Sequence, residues 1–447
     1  MEQVTFSASE YRADDSFENV EMGFRGSTER GFEVLRNGEE WLRVGPGYRV
    51  LETVAAGVCS TDLDRRFLPF PLPQITGHEV LARAPSGGPR FAVEINASRF
   101  ARGNSQACAA CRPPMERHCP HRLVLGIHDL PGGFGPYVLA PVDALVEVPE
   151  EIDLETAVLM EPLAAALRAA ETVRLAPKDR VAVIGPRRLG MLVIAALASR
   201  RRTEGLDVSI SALARRESLE PVARAMGADE FALTNTPDVG RLARSFDVVI
   251  DTTASAEGFL QAAELTRREL HLKSTHGQPC GGLTQTTAMV VDEVSLRPWS
   301  PDAEASVAEN PDAEAGVAQN EATDCFPGSA SVVVNSLGEA DRALRPSPES
   351  ERGLVRPLGT IFLRKTSEDT PIARLLDRGV SLTTSRCGDF RATLTQLSGD
   401  AELRRVGAAM VTHRFDQRQL AAAFQKARER DCLKAIVLPE LGGEPLS

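Results

Sequence analysis

The 447-residue chain has no apolar run as long as a membrane span, which needs about 18 residues or more. It also lacks a basic excess: the net charge of −11 argues against a general affinity for nucleic acid or anionic membranes. The N-terminal M-E-Q-V-T-F-S-A-S-E-Y-R-A-D-D has no basic start followed by an apolar stretch, so no secretory signal is expected. Eight cysteines are too few and too clustered for a disulfide scaffold. Without an export signal such a cluster is expected to bind metal or stay reduced, and the expected compartment is cytoplasmic. What is present is an ordinary globular composition, 43% hydrophobic and 25% charged, long enough for two or three domains with their own cores.

From Glu33 to about Pro149 short apolar runs alternate with Gly and Pro, as in Tyr48–Val54, Glu79–Ala84, Arg90–Asn96 and Tyr137–Pro141. This pattern predicts a compact, mostly β domain with functional loops. Leu154–Val173 is rich in Ala and Leu and predicts a helix. Beyond it strands and helices alternate: strands over Val181–Gly185, Val208–Leu213, Phe246–Thr252 and Leu270–Ser274, helices over Leu189–Arg200, Ser218–Met226 and Gly258–Thr266. That rhythm indicates βαβ units and a parallel sheet. A tandem decapeptide, P-D-A-E-A-S-V-A-E-N then P-D-A-E-A-G-V-A-Q-N (301–320), interrupts it. Its small, acidic composition predicts a disordered insert over Pro298–Pro327, with strands at Ser331–Asn335 and Gly359–Leu363. A strand at Val380–Thr384, helices at Arg391–Leu397 and Arg414–Arg428, and a last strand at Leu433–Pro439 complete the expected order.

Four residues carry the chemistry: Cys59 in G-V-C-S-T-D (Gly57–Asp62), His78 and Glu79 in G-H-E, and Glu161 in M-E-P-L. One thiol, one imidazole and one or two carboxylates suit Zn²⁺ with a position left open for water or substrate. Singly, each has a plainer reading: Cys59 as a small buried hydrophobe, His78 as a hydrogen-bonded histidine, Glu161 as a first-turn acid of a helix.

Together with the cysteine cluster, G-G-F-G-P-Y-V (Gly132–Val138) and M-E-P-L-A-A-A-L, these motifs resemble the zinc-dependent alcohol dehydrogenases of the medium-chain dehydrogenase/reductase superfamily, closest to the threonine/sorbitol dehydrogenase-like branch. The resemblance covers most of Tyr48–Thr275 and Val380–Pro439. It implies an α/β fold: a GroES-like, β-rich catalytic domain over residues 1–155, completed by 386–447, and a Rossmann domain with a doubly wound parallel sheet over 156–385, interrupted by a partly disordered insert at about 298–378. It also implies that Cys59 and His78 ligate zinc while Glu79 and Glu161 complete the sphere or hold the bound water. Thr61 would pass the substrate proton outward, and Asp62 would orient a ligand. Asp64 stands where many relatives place a histidine.

Cys108, Cys111 and Cys119 have the spacing C-x₂-C-x₇-C of the family's structural zinc lobe, but Ser105 stands at the usual fourth cysteine. The lobe therefore reads either as a second zinc site with His118 or His121 substituting, or as a vestige without metal. The phosphate loop, Gly185–Gly190, includes Arg187 and Leu189 and reads G-P-R-R-L-G, with Arg187 where the middle glycine would admit a pyrophosphate. No acid ends the second strand, and Arg215 and Arg216 follow it, which favours NADP over NAD; Glu217 remains a candidate for the ribose. Ala254 occupies a turn position where glycine is common, and His271, Lys273 and His276 are read as loop residues outside the catalytic set. The expected activity is zinc-dependent, NAD(P)-linked interconversion of a secondary alcohol or polyol and its ketone. The resemblance implies a homodimer or homotetramer, and the expected partner is a small-molecule alcohol or ketone. The alternative is a dehydrogenase fold that has lost its cofactor and serves a regulatory or interaction role.

Overall fold

The computed structural model describes residues 2–65, 71–97, 116–119, 122–274, 278–301, 331–344, 358–365 and 367–439. The chain opens on β1 (Glu2–Tyr11), β2 (Phe17–Ser27), β3 (Gly31–Arg36) and β4 (Glu39–Val44), an antiparallel four-stranded sheet. The sequence reading starts β structure only at Glu33. The sheet begins earlier because β1 alternates cleanly, burying Phe6 and Ala8 while Thr5 and Ser7 face outward. Asn37 and Gly38, at φ of 51° and 81°, make the two-residue turn from β3 to β4.

The strands β5 (Tyr48–Gly57), β6 (Glu79–Arg83), β7 (Arg90–Val93), β8 (Asn96–Ala97), β9 (Leu123–Leu125), β10 (Asp129–Leu130), β11 (Tyr137–Pro141) and β12 (Leu145–Val148) follow. Between β5 and β6 lies the short helix α1 (Ser60–Leu63). The helix expected over Leu154–Val173 is two: α2 (Leu154–Val158), capped by Asp153 through a 2.6 Å bond from the Thr156 amide, and α3 (Met160–Thr172). Leu159 separates them as the residue that ends α2.

The next section is a doubly wound α/β fold. It contains β13 (Asp179–Ile184), α4 (Arg188–Glu204), β14 (Val208–Ala214), α5 (Glu220–Ala225), β15 (Glu230–Leu233), β16 (Phe246–Asp251), α6 (Ala256–Leu265) and β17 (Thr266–Leu272). After them come α7 (Thr286–Val291), β18 (Ser295–Pro298), β19 (Val332–Val334), α8 (Leu337–Leu344), β20 (Thr360–Leu363), α9 (Pro371–Asp377) and β21 (Ser381–Thr384). Their sheet runs β15-β14-β13-β16-β17-β21-β18-β20-β19. The first six strands are mutually parallel, and β18 pairs antiparallel with β21. The strands β18, β19 and β20 thus extend the sheet, although the sequence reading treats much of this stretch as an insert. The decapeptide repeat lies, from residue 302 on, outside the described residues. This unit buries its apolar faces in one core that includes Phe246, Val249, Phe259, Leu270 and Leu382.

The tail supplies α10 (Phe390–Gly399), α11 (Val406–Met410), β22 (Val411–Asp416), α12 (Leu420–Arg428) and β23 (Lys434–Leu438). Arg414–Arg428 is therefore not one helix: Val411–Asp416 pairs parallel with β23, a 3-10 turn follows at Gln417–Gln419, and the α-helix begins at Leu420. The strand β23 joins β5, completing the order β12-β7-β6-β5-β23-β22 with β11 also on β5. The described residues of 2–164 and 389–439 form one compact unit and those of 165–388 another.

An aromatic cluster ties the first unit together. Phe424 of α12 lies 4.9 Å from Phe17, 5.6 Å from Phe134 and 5.7 Å from Tyr11, measured between ring centroids. Phe134 in turn packs on Gly77, where an added Cβ would meet the ring at 2.9 Å. Phe424→Ala is expected to cost about 3–5 kcal/mol, as large core truncations do, read as a lower midpoint of denaturant unfolding.

Candidate active site

The turn after β5 brings Cys59 to the N-cap of α1, with its backbone amide 2.9 Å from Asp62 Oδ2. Asp62 is 1% exposed, and its other oxygen accepts from the Gly77 amide at 3.1 Å and lies 3.3 Å from His78 Nδ1. One carboxylate thus fixes the two loops that carry Cys59 and His78. With Nδ1 turned to Asp62, Nε2 is the ring nitrogen left for a ligand. Burial opposes a charge on His78, but the nearby Asp62 and Cys59 outweigh it and raise its pKa well above the usual range.

Cys59, His78 and Glu79 bring one ligand atom each to within 4.8 Å of one another. A thiol, an imidazole and a carboxylate at that spacing fit a divalent metal. Glu161 is not in this group; it is the second residue of α3, half-buried, where the helix backbone sets its position. Thr61 lies within α1, half-buried, and Asp64 ends that helix.

Glu79 has a partner the sequence reading misses. Both its oxygens lie 2.6 Å from Lys434 Nζ, with Glu79 0% and Lys434 2% exposed. The two residues come from β6 and β23, on either side of β5, and meet across Gly57; a Cβ there would sit 2.0 Å from Glu79 Oε2. The signal in the sequence is a lysine inside the final apolar strand, Lys434–Leu438, a position that demands a counter-charge.

Of the second cysteine cluster, Cys108, Cys111, Ser105 and His121 lie outside the described residues. Cys119 is buried after the turn Glu116–His118, and its carbonyl accepts from Arg122 Nη1 at 2.9 Å.

In the second unit the phosphate loop follows β13. Gly185 has φ +77° and a Cβ on it would meet Thr253 at 2.7 Å; a Cβ on Gly190 would meet Thr252 Oγ1 at 2.5 Å. Thr252 Oγ1 donates to the Ile184 carbonyl at 2.8 Å, so the loop and the end of β16 are stitched together. Arg187 is the N-cap of α4 at φ −113°, Leu189 is in its first turn, and the Arg187 amide donates to the Gly185 carbonyl at 2.8 Å. The site is the C-terminal edge of the parallel strands, where open α/β sheets bind ligands. Arg215 follows β14 and pairs with Glu257 at 2.7 Å; Arg216 caps the next turn, Glu217–Leu219. Burial pushes the Asp251 carboxyl up to about 6, against hydrogen bonds from Thr253. His271 and Lys273 correct the sequence reading: His271 is inside β17 and 0% exposed, and Lys273, just beyond it, is 5% exposed. Strict alternation in E-L-H-L-K marks them as one face of a buried strand. His276 lies outside the described residues.

Two outcomes follow for stability. Lys434→Ala leaves the Glu79 carboxylate buried without its counter-charge and is expected to cost about 3–5 kcal/mol in chemical denaturation, with a Lys434→Met, Glu79→Gln double variant recovering part of it. Ala254 is held at φ +50°, so Ala254→Gly is expected to be neutral or to stabilise by up to about 1 kcal/mol, whereas Gly185→Ala lowers the melting temperature.

Residues 45–150 match the alcohol dehydrogenase GroES-like domain family. An L-threonine 3-dehydrogenase of Chelativorans sp. (strain BNC1) is 26% identical over 230 residues, which are 48% of this chain and 65% of that protein. The chain thus spans just under two thirds of that relative's length. A sorbitol dehydrogenase of Arabidopsis thaliana is 26% identical over 279 residues, 57% of this chain and 74% of the relative. The crystal structure of L-idonate 5-dehydrogenase from Escherichia coli superposes with a TM-score of 0.60 at 14% identity, covering 98% of this chain and 99% of that one. At that identity the structural likeness speaks for the fold. Among the described residues no helix is long and apolar enough to cross a membrane. The motifs, the two units and these relatives agree: the chain has the fold of these dehydrogenases, carries an alcohol dehydrogenase GroES-like domain over residues 45–150, and is similar to the threonine and sorbitol dehydrogenases of the medium-chain superfamily.

Proposed function

We propose that the protein is a zinc-dependent, NAD(P)-linked oxidoreductase that interconverts a secondary alcohol or polyol and its ketone. The observation that carries this reading is the cluster of Cys59, His78 and Glu79, held by Asp62 from behind and by Lys434 from the side. Cys59 Sγ, His78 Nε2 and the Glu79 carboxylate would hold the metal, with Glu161 as a further candidate and Lys434 sharing the carboxylate. Zinc bound there supplies Lewis acidity toward the oxygen of the alcohol or ketone. The protein's own part is to aim Cys59 and His78 at the metal, with Asp62 beside His78 Nδ1 orienting the ring. Thr61, two residues from Cys59, would be the hydroxyl that passes the substrate proton outward. The names of the relatives support a substrate with a secondary hydroxyl.

For the dinucleotide, Gly185 and Gly190 give the tight loop and the close helix approach, and the N-terminus of α4 would face its pyrophosphate. Arg187 would bind a phosphate oxygen with its guanidinium where a glycine would offer its backbone. We read NADP ahead of NAD from Arg215 and Arg216, with Glu257 as the anion that competes for Arg215.

Elemental analysis should find zinc in the purified protein, and zinc uptake should release protons, since thiol and imidazole ligands bind metal deprotonated. Reduction of NADP⁺ should be followed with a panel of secondary alcohols and polyols. Cys59→Ser is expected to lose the catalytic zinc and about 100-fold or more in turnover, and Asp62→Asn about 10–100-fold in metal affinity or activity. Unchanged turnover in both folded variants would defeat the zinc reading. NADPH should bind more tightly than NADH, and the gap should narrow in Arg215→Ala; an unchanged gap moves the 2′-phosphate contact elsewhere.

A further inference from the structure

Glu269 and His271 of β17 and Lys273, just beyond its end, alternate along one face of a strand flanked by β16 and β21, where a buried parallel sheet normally places apolar side chains. Thr383 of β21 and Ser385, just beyond that strand, fill the gaps. All five are buried: Glu269 4%, His271 0%, Lys273 5%, Thr383 4% and Ser385 0% exposed. Thr383 Oγ1 donates to Glu269 Oε1 at 2.8 Å and lies 2.9 Å from His271 Nδ1. His271 Nε2 lies 2.9 Å from Ser385 Oγ, which accepts from Lys273 Nζ at 3.2 Å.

The two ends set the direction of every bond. An ammonium only donates and a carboxylate only accepts. Thr383 spends its one hydrogen on Glu269, so His271 Nδ1–H must donate to Thr383. His271 is neutral, because burial and the Lys273 charge push its pKa down to about 3. Its Nε2 therefore carries a lone pair, and Ser385 donates to it while accepting from Lys273. The result is one unbroken, one-way chain from Lys273 to Glu269, spanning four residues of strand, about 13 Å.

The surroundings leave the ends apart. Lys273 Nζ also donates to the Ser385 carbonyl at 3.3 Å and to the Arg386 carbonyl, while Glu269 Oε2 accepts from the Arg174 amide at 3.1 Å. Glu293, an acid that acts on His271, is held by Arg168 Nε and the Arg386 amide, each at 3.1 Å. Two buried charges kept this far apart and joined through three amphoteric groups are a poor device for stability, since apolar residues would pack as well. They are a good device for moving a proton. Lys273 stands at the ligand end of the sheet, its amide bonded to the Asp251 carbonyl at 3.0 Å.

We propose that Glu269, Thr383, His271, Ser385 and Lys273 form a proton wire that exchanges a proton between the dinucleotide end of the sheet and Glu269 without passing through solvent. Its purpose rests on the function proposed above. An oxidised nicotinamide ring is cationic and a reduced one neutral, so an oxidised dinucleotide at that end repels the proton of Lys273. Lys273 Nζ then gives a proton to Ser385 Oγ as Ser385 gives its own to His271 Nε2. His271 passes its Nδ1 proton to Thr383 Oγ1, and Thr383 passes its own to Glu269 Oε1. Lys273 ends neutral, Glu269 ends as a carboxylic acid, and no oxidant or reductant is needed.

Infrared difference spectra of the full chain, taken on adding NADP⁺ or NADPH, test this. With NADP⁺ the wild type should gain the carbonyl band of a protonated carboxyl group, shifted in D₂O, and NADPH should not raise it. The band should be lost in Glu269→Gln and also in Thr383→Val, which cuts the wire and leaves both ends in place; Ser385→Ala serves the same purpose should the valine variant fail to fold. A band that persists in a folded, nucleotide-binding cut variant overturns the wire, as does wild type that binds NADP⁺ without the band. Should neither dinucleotide bind, the function proposed above fails by itself, and ¹⁵N spectra of His271 then decide: protonation at Nε2 overturns the wire, and Nδ1 protonation that is lost in Thr383→Val supports it.

Discussion

Glu79 and Lys434 reach each other across Gly57, and the geometry of the first unit depends on that buried pair. Removing two charges from water costs several kcal/mol per ion, a cost offset only when geometry is tight and remaining hydrogen bonds are made. Here both carboxylate oxygens sit on one ammonium, which also donates to the Val58 carbonyl at 3.3 Å. Such a pair requires three adjacent strands, one with no side chain at the crossing. The strand that carries Lys434 is the last in the described chain, so the first unit is closed only when the tail returns. This explains why a unit that begins at the N-terminus takes in residues 389–439 as well. The pair also sits next to His78, so the same contact that closes the sheet fixes the carboxylate of the candidate metal set.

The second unit handles buried charge in another way. Glu269 and Lys273 are kept apart on one strand and linked through Thr383, His271 and Ser385. In the first unit an acid and a base cancel at one point, and the gain is rigidity. In the second the charges stay separate, and what they share is a direction of hydrogen bonding. Both arrangements are read from the same rule, that a buried polar group needs its partner. They differ in how many bonds lie between the ends.

Much of this was legible in the sequence, for reasons that differ by region. The alternating strands and helices from β13 to β17 stood out because each strand is a short apolar run bounded by turn residues. The cluster of Cys59, His78 and Glu79 stood out because each occurs in a distinctive local setting. The sheet β1–β4 was written just as plainly, in the alternation around Phe6 and Ala8, but strand periodicity without motifs is easily passed over. Arg414–Arg428 misled because helix formers in its second half mask the strand Val411–Asp416 before it. Lys434 was hidden for a different reason: its partner is 355 residues away, and pairing across a sheet leaves no local mark. His271 and Lys273 fell to the same problem, since Thr383 and Ser385 belong to a strand more than 110 residues downstream.

Two departures from the glycine pattern of the dinucleotide loop carry different physical weight. Arg187 replaces the middle glycine at φ −113°, outside the left-handed region that favours glycine. What changes there is the room left for a pyrophosphate and the charge offered to it. Ala254 is at φ +50°, where a Cβ crowds its own backbone, so its cost falls on folding. The first substitution therefore bears on ligand affinity and the second on stability. Neither, taken with the intact contacts of Gly185 and Gly190, removes the close strand–helix approach that a dinucleotide needs.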